Sequence, residues 1–126
     1  MMVPKFRAYD SSSTTRMYQP DEVMVSDGNI WIDDEDFDAG EWIVNNDLHL
    51  MQSTGMVDKN DQEIFEGDIL GTKDGLLNGV VKYSSDLGMW INSLIRYNNF
   101  ERLCNVATSR KIIGNIYENR ELLEVE

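Results

Sequence analysis

The chain has 126 residues, of which 41% are hydrophobic and 27% charged, and this is the composition of a globular protein with a core of its own. Its single cysteine, Cys104, excludes an internal disulfide and fits a reducing compartment. No apolar stretch approaches the roughly 20 residues of a membrane helix, and the N-terminus has none long enough for a signal peptide. We therefore expect a soluble, cytoplasmic protein.

The formal net charge is −12 and it is unevenly spread. Residues 1–62 carry 4 basic and 13 acidic side chains, whereas residues 63–126 carry 7 and 10. No Lys or Arg lies between Arg16 and Lys59, a stretch that holds 11 acidic residues. Because so negative a surface repels phosphate groups, we expect no direct binding to nucleic acid or to anionic membranes.

Alternating polar and apolar residues predict short strands through the first half of the chain. These segments are 5–10, 22–26, 30–32, 41–44 and 48–52. The second and third flank Asp27-Gly28, a dipeptide that favours a two-residue hairpin turn. A polar loop is predicted at 53–62.

From residue 63 the chain continues in short apolar runs with Gly at the corners. The predicted strands lie at 79–83, 88–91 and 110–117, and residues 64–70 place a Gly-Asp corner before an apolar pair. Their spacing of about ten residues favours a small barrel, and the order Gly-Asp-apolar followed by Gly-Val-Val is typical of SH3-like barrels. Residues 92–110 are ambiguous between strand and helix, and Asn119 is predicted to N-cap a short helix over 120–123.

The acidic segment after residue 32 partly matches a calcium-binding loop. Asp34, Asp36 and Asp38 copy the first three ligand positions of an EF-hand. The match then fails, because Ala39 stands where the loop needs Gly and Asn45 where it needs a bidentate Glu. We therefore predict a solvated acidic loop and no metal site.

Residues for covalent catalysis are few. His49 is the one histidine, and alternation with Leu48 and Leu50 directs it to the opposite strand face, towards solvent. Ser53 and Cys104 lack the sequence context of a nucleophile, and one His with one Cys is too few for a structural zinc site. The glycines do not form a phosphate-binding loop. We expect no catalytic residue, metal or cofactor.

Six aromatic side chains are large enough to stack nucleobases. They are Trp31, Trp42, Tyr83, Trp90, Tyr97 and Tyr117. Base-stacking platforms have basic surroundings, whereas the first two tryptophans flank the acidic segment. We expect these rings to serve the core or an interface, and exposed strand edges predict self-association into a homo-oligomer.

One stretch of sequence is more specific. Residues 50–70, LMQSTGMVDKNDQEIFEGDIL, closely resemble the signature of the YopX family of bacteriophage and prophage proteins. Residues 4–10, 79–83 and 113–123 are similar to the start, the central strand and the end of the same family. The chain departs at Asp61, where Gly is common, and at Arg120, where Pro is frequent; Asp tolerates left-handed backbone, so the turn at Asp61 should survive.

The resemblance implies a phage origin, expression inside a bacterial host and an SH3-like β-roll. It implies no established activity and supplies no catalytic residue. We predict a mostly β protein, a small SH3-like barrel with additional N-terminal strands and a short C-terminal helix. Residues 1–126 are expected to form one domain, with acidic strands and loops over 1–62 and the barrel core and helix over 63–126.

The predicted function is that of a non-catalytic accessory protein that binds an unidentified host or phage protein. The candidate partner-binding face comprises Asp33, Asp34, Glu35, Asp36 and Asp38. Two alternatives are an acidic nucleic-acid mimic that occupies a DNA-binding site, and a metal-dependent hydrolase that uses the carboxylates of 33–38. A mimic needs carboxylates spread over a surface, whereas a hydrolase needs two or three that converge in a cleft.

Overall fold

A computed structural model describes residues 5–12, 14–33 and 41–124 of the chain. Backbone contacts divide the chain into two compact units, Met1–Ser53 and Thr54–Glu126. The strands are β1 (Phe6–Asp10), β2 (Arg16–Tyr18), β3 (Val23–Ser26), β4 (Asn29–Asp33), β5 (Trp42–Val44), β6 (His49–Val57), β7 (Glu63–Phe65), β8 (Asp68–Gly71), β9 (Gly79–Ser84), β10 (Met89–Leu94), β11 (Phe100–Arg102) and β12 (Lys111–Asn115).

Helix is confined to short pieces among these strands. Helix α1 (Leu103–Val106) continues into a 3₁₀ turn at Ala107–Ser109, and two further 3₁₀ turns lie at Pro20–Glu22 and Arg120–Leu123. The predicted mostly β fold is confirmed, whereas an SH3-like barrel and a single domain over 1–126 stay predictions. Among the described residues, no helix has the length and apolarity needed to cross a membrane.

The first unit contains the strand orders β2-β1-β6 and β3-β4-β5. Its core is formed by side chains from both: Ala8, Tyr18, Val23, Ile32 and Leu48. The predicted hairpin is confirmed, because Asp27 and Gly28 adopt φ angles of 53° and 77° and join β3 to β4 through a two-residue turn. Such a turn needs positive φ at both positions, which Asp tolerates and Gly adopts without strain.

Strand β6 corrects one boundary of the sequence analysis. The loop predicted at 53–62 begins only at Asp58, because β6 runs from His49 to Val57. Residues His49 to Gln52 pair with β1, and the Thr54 hydroxyl donates a 2.8 Å hydrogen bond to the Ile64 carbonyl on β7. Pairing with neighbouring strands therefore extends a segment whose polar residues alone favoured a loop.

The second unit is built on a five-stranded antiparallel sheet in the order β11-β10-β9-β8-β12. Its core comprises Ile64, Leu70, Val81, Leu103 and Ala107, with Trp90 packed against it. The ambiguous segment 92–110 is thereby resolved. It contains the end of β10, all of β11, and the helical turns that bring Leu103 and Ala107 into the core.

Asp58 fixes the loop between β6 and β7. Its side chain is buried, and one carboxylate oxygen accepts hydrogen bonds from the backbone N–H groups of Asn60 and Gln62, at 2.8 and 2.9 Å. The other oxygen accepts from the N–H of Ile112 at 3.0 Å. Burial raises the pKa of Asp58, but these three donors and the nearby Lys111 outweigh it and hold the pKa below its ordinary value.

The Asp58 loop also covers an edge of the sheet. Strand β12 is the last strand of its sheet, and its outer backbone groups would otherwise lack a partner strand. The loop satisfies the N–H of Ile112 on β12 through Asp58, and the Lys59 N–H donates at 2.9 Å to the carbonyl of Arg110, the residue before β12. Asp61 adopts a φ of 60°, so the left-handed turn expected there is present without Gly.

The C-terminal turn lies where the sequence placed it, but its first residue has a different role. Asn119 precedes the 3₁₀ turn at Arg120–Leu123 without a side-chain capping bond. Its side-chain oxygen instead accepts a 3.1 Å hydrogen bond from the Asn115 N–H at the end of β12. The predicted side-chain cap is therefore wrong, because the Asn119 amide is engaged with the preceding strand.

Asn92, Glu101 and Arg110 form a hydrogen-bonded network on the five-stranded sheet. The Asn92 amide nitrogen donates to Glu101 at 3.1 Å, and Glu101 accepts two bonds from the Arg110 guanidinium at 2.6 and 2.7 Å. The hydrogen bonds from Arg110 lower the pKa of Glu101 although burial opposes them. A Cβ added at Gly79 would overlap the Asn92 amide, so only Gly fits at this point of β9.

We predict that Gly79→Ala lowers the free energy of unfolding by about 1–3 kcal/mol, since the new methyl group must displace Asn92 from a packed sheet. Urea unfolding followed by fluorescence measures the change. In the double variant Gly79→Ala/Asn92→Ala the overlap is absent, so the combined loss should be smaller than the sum of the single losses. Strict additivity would contradict the steric explanation.

We also predict that Asp58→Asn destabilises the protein by about 1–3 kcal/mol at neutral pH, because an amide N–H₂ then faces a backbone donor. The folded pKa of Asp58 is lowered, so its contribution is complete above the unfolded pKa of about 4 and disappears as pH falls through the folded pKa. Urea unfolding should therefore show a larger difference between the variant and the wild type at pH 7 than at pH 3. Exposed Asp61→Asn is the control, and an equal loss in that variant would refute the argument.

Candidate functional site

The predicted partner-binding residues are only partly described by the structure. Asp33 is the last residue of β4, is half-buried, and pairs with Trp42 on β5. Asp34, Glu35, Asp36 and Asp38 lie outside the described residues. The chain between β4 and β5 is thus acidic in sequence.

These two strands and β3 present an apolar outer face. Met24, Trp31 and Val44 are register neighbours on three adjacent strands, so they form one row across the sheet. Their chain neighbours Val23 and Ile32 point the other way into the core. Met24 and Val44 are 42% and 44% exposed, although both are apolar.

A second row on this face joins the apolar surface to the acidic segment. Asp33 and Trp42 are register partners two residues along the strands from Trp31 and Val44, and therefore share their face. The Trp31 indole N–H donates a 3.2 Å hydrogen bond to the Ser26 carbonyl, which holds the ring in place. We call Met24, Trp31, Asp33, Trp42 and Val44 the apolar acidic face.

The remaining aromatic candidates are placed differently. Trp90 packs against the core of the second unit, with its ring centroid 5.3 Å from that of Tyr83 in an edge-on arrangement. Tyr83 and Tyr97 are about half exposed. Trp31 and Trp42, in contrast, are not among the side chains packed against the core of the first unit. The two tryptophans nearest the acidic segment are half-buried and lie on the outer face of their sheet.

His49 is exposed, as the strand alternation predicted. Its Nε2 atom lies 3.1 Å from the Ser11 hydroxyl, a contact that sequence separation concealed. The Asp10 carboxylate accepts hydrogen bonds from the Ser12 N–H at 2.9 Å and the Thr14 hydroxyl at 2.6 Å. Hydrogen bonds from Ser12 and Thr14 hold the pKa of Asp10 below its ordinary value.

The acidic residues that the structure describes do not converge on a metal site. No group of three or more His, Cys, Asp or Glu side chains among them is placed to hold an ion. Asn45, the residue at the last EF-hand position, uses its side-chain oxygen to accept a 3.1 Å bond from the Asp47 N–H. It therefore stabilises the turn between β5 and β6.

Sequence reasoning missed the apolar row, although a signal for it was present. A two-residue turn at Asp27-Gly28 fixes Ser26 opposite Asn29, and hence Met24 opposite Trp31. Finding the Met24–Trp31 pair required extending the pairing set by the turn along both strands. Val44 needed the long-range pairing of β4 with β5, which no local pattern supplies.

Comparison with known proteins identifies the class of fold and then the family. The chain has the fold of a solved structure, protein EF1440 from Enterococcus faecalis, with a TM-score of 0.63 and 27% identity over 98% of this chain and 100% of that one. Protein yopX from Bacillus subtilis has the same fold, with a TM-score of 0.60, 16% identity and 97% of each chain covered. The family model described as YopX protein matches residues 5–124, and the chain belongs to the YopX family. A search of curated proteins found no match.

We predict that millimolar calcium does not raise the melting temperature more than magnesium does. A specific site would stabilise the folded state through preferential binding, whereas this chain has Ala39 and Asn45 where a calcium loop needs Gly and Glu. Differential scanning fluorimetry with each cation at equal ionic strength makes the comparison. A rise of several degrees with calcium alone would show that the segment is a metal site.

Proposed function

We propose that this chain is a non-catalytic phage accessory protein that binds another protein inside the bacterial host. The apolar acidic face is its docking surface. The observation that supports the proposal is the row of Met24, Trp31 and Val44 on the side of the sheet opposite the core, in which Met24 and Val44 are exposed and Trp31 is half-buried. The proposal includes no catalytic step, metal or cofactor.

The composition of this face suits a protein partner. Exposed apolar side chains that lie together mark interaction sites on small proteins. Trp and Met are enriched at the centres of protein interfaces, and polar groups form the rim. Since the Trp31 ring is already held by Ser26, little side-chain freedom is lost on binding. The complementary partner has an apolar centre and a rim of Lys and Arg that faces Asp33 and the acidic segment.

Electrostatic steering follows from the charge of the same region. The stretch between Arg16 and Lys59 holds 11 acidic residues and no basic one, so it attracts a basic surface before contact is made. Such steering raises the association rate and weakens as salt screens the charges. Apolar contacts made after docking control the dissociation rate.

The same charge distribution favours one second candidate, a mimic of nucleic acid that blocks a DNA-binding site. The uninterrupted acidic stretch supports it. The apolar row of Met24, Trp31 and Val44 is not a feature that a phosphate backbone presents. The two candidates therefore differ in whether Met24 and Val44 contribute to binding.

We predict that Met24→Ser/Val44→Thr weakens partner binding by tenfold or more, because each lost apolar contact is worth about 1 kcal/mol or more at an interface centre. The partner is captured from host lysate on immobilised wild-type chain and then studied by surface plasmon resonance. Replacing Asp33, Asp34, Asp36 and Asp38 by Asn should lower mainly the association rate, and higher salt should do the same.

The matched control is Val57→Thr/Leu76→Ser, which removes two comparably exposed apolar side chains from the second unit. It should leave binding unchanged. A partner that ignores the Met24/Val44 change but loses affinity with the Asn substitutions would favour the mimic. If the affinity of the partner is unchanged by both sets of substitutions and by salt, docking on this face is refuted.

A further inference from the structure

The second unit presents an outer face of opposite charge. On β9, β10 and β11, register pairing places Lys82, Ile91 and Arg102 in one row. Phe100 lies in the adjacent row opposite Ser93 and is 43% exposed. The alternate residues of these strands, among them Val81, Asn92 and Glu101, point towards the core side.

The cations of this row are not neutralised within the chain. Lys82 and Arg102 are exposed, and neither forms an ion pair with any residue that the structure describes. Arg16 and Arg110, in contrast, contact Glu22 and Glu101 at 2.7 and 2.6 Å. All outward positions of these three strands lack an acidic side chain. They are Lys82, Ser84, Met89, Ile91, Ser93, Phe100 and Arg102; Val80 lies on the same side of the sheet but is buried. We call Lys82, Ile91, Phe100 and Arg102 the basic face.

We propose that the basic face receives the apolar acidic face of a second copy of this chain. The two faces are complementary in charge: the basic face carries two unpaired cations, and the apolar acidic face carries Asp33 at the start of the acidic segment. They are also alike in apolar content, since each exposes apolar side chains beside its charges. A second copy can therefore bury apolar area and pair Lys82 and Arg102 in one contact.

Nucleic acid is a poorer occupant of the basic face. Two cations neutralise about two phosphates, which supports weak binding only. The net charge of −12 repels a polyanion as a whole. Two copies of this chain also repel each other at long range, but at physiological salt the repulsion is screened beyond about 8 Å while contacting charges still pair.

The contact is heterologous, because different faces of the two copies meet. One copy in such a contact keeps a free apolar acidic face and the other keeps a free basic face, so assembly continues beyond two chains into a ring or an open chain. Growth beyond two chains distinguishes this contact from ordinary two-fold dimerisation, which stops at two chains. The contact shares one face with the proposed partner binding, but it is tested with purified chain alone.

The experiment uses two variants measured by light scattering at micromolar concentrations. Lys82→Glu/Arg102→Glu disables the basic face, and Met24→Ser/Val44→Thr disables the apolar acidic face. Wild type should form species larger than a dimer, and each variant alone should stay monomeric. An equimolar mixture should form a heterodimer and nothing larger, because only one intact face of each kind remains.

Two controls separate the faces from general effects. Lys73→Glu/Arg96→Glu makes the same charge change at exposed positions off the basic face and should associate as wild type does. Circular dichroism should show that all variants are folded. Lys82→Glu/Arg102→Glu keeps the face used in the proposed function, so its binding of a captured partner is tested separately and should be retained.

Several outcomes would overturn the proposal. They are a monomeric wild type, a variant that associates like wild type, a Lys73/Arg96 control that loses association, and a mixture of the two variants that stays monomeric. A mixture that assembles beyond a heterodimer would also contradict it. None of these results bears on whether the apolar acidic face binds a host protein.

Discussion

The buried carboxylate of Asp58 is the constraint on which the second unit depends. One side chain accepts three backbone hydrogen bonds, two from its own loop and one from the edge strand β12. The loop is thereby closed and the edge of the sheet is covered by the same atoms. A neutral side chain of equal size cannot accept all three bonds, which explains why an acid occupies a buried position in a chain with few basic residues.

The segment that identifies the family performs this structural work. Residues 50–70 contain most of β6, the Asp58 loop, and strands β7 and β8. Asp68, also buried, accepts a 2.8 Å bond from the Phe65 N–H across the turn between β7 and β8. The most recognisable part of the sequence therefore specifies how the chain folds. The surfaces that we propose for binding lie outside it, on β3 to β5 and on β9 to β11.

Local sequence patterns correctly predicted the features that depend on neighbouring residues. The Asp27-Gly28 turn and the outward direction of His49 follow from residues close in sequence, whereas the left-handed backbone at Asp61 was expected from the family resemblance. The extension of β6 past Ser53 and the short strand β11 depend on pairing with β7 and β10, and propensity did not reveal them. Of the predicted acidic face, the structure describes only Asp33, whereas the apolar row beside it and the basic row of Lys82, Ile91 and Arg102 required the register of three strands.

The two-residue turn at Asp27-Gly28 also restricts how this hairpin can change in evolution. Side chains alternate strictly along β3 and β4, so inserting one residue in the turn without a compensating bulge would invert β4 relative to β3. Ile32 would leave the core and Trp31 would enter it, which exchanges the buried face for the exposed one. An insertion or deletion at this turn is therefore tolerated when it changes the length by an even number of residues. A hairpin that gains two residues can keep its outer row, whereas one that gains a single residue cannot.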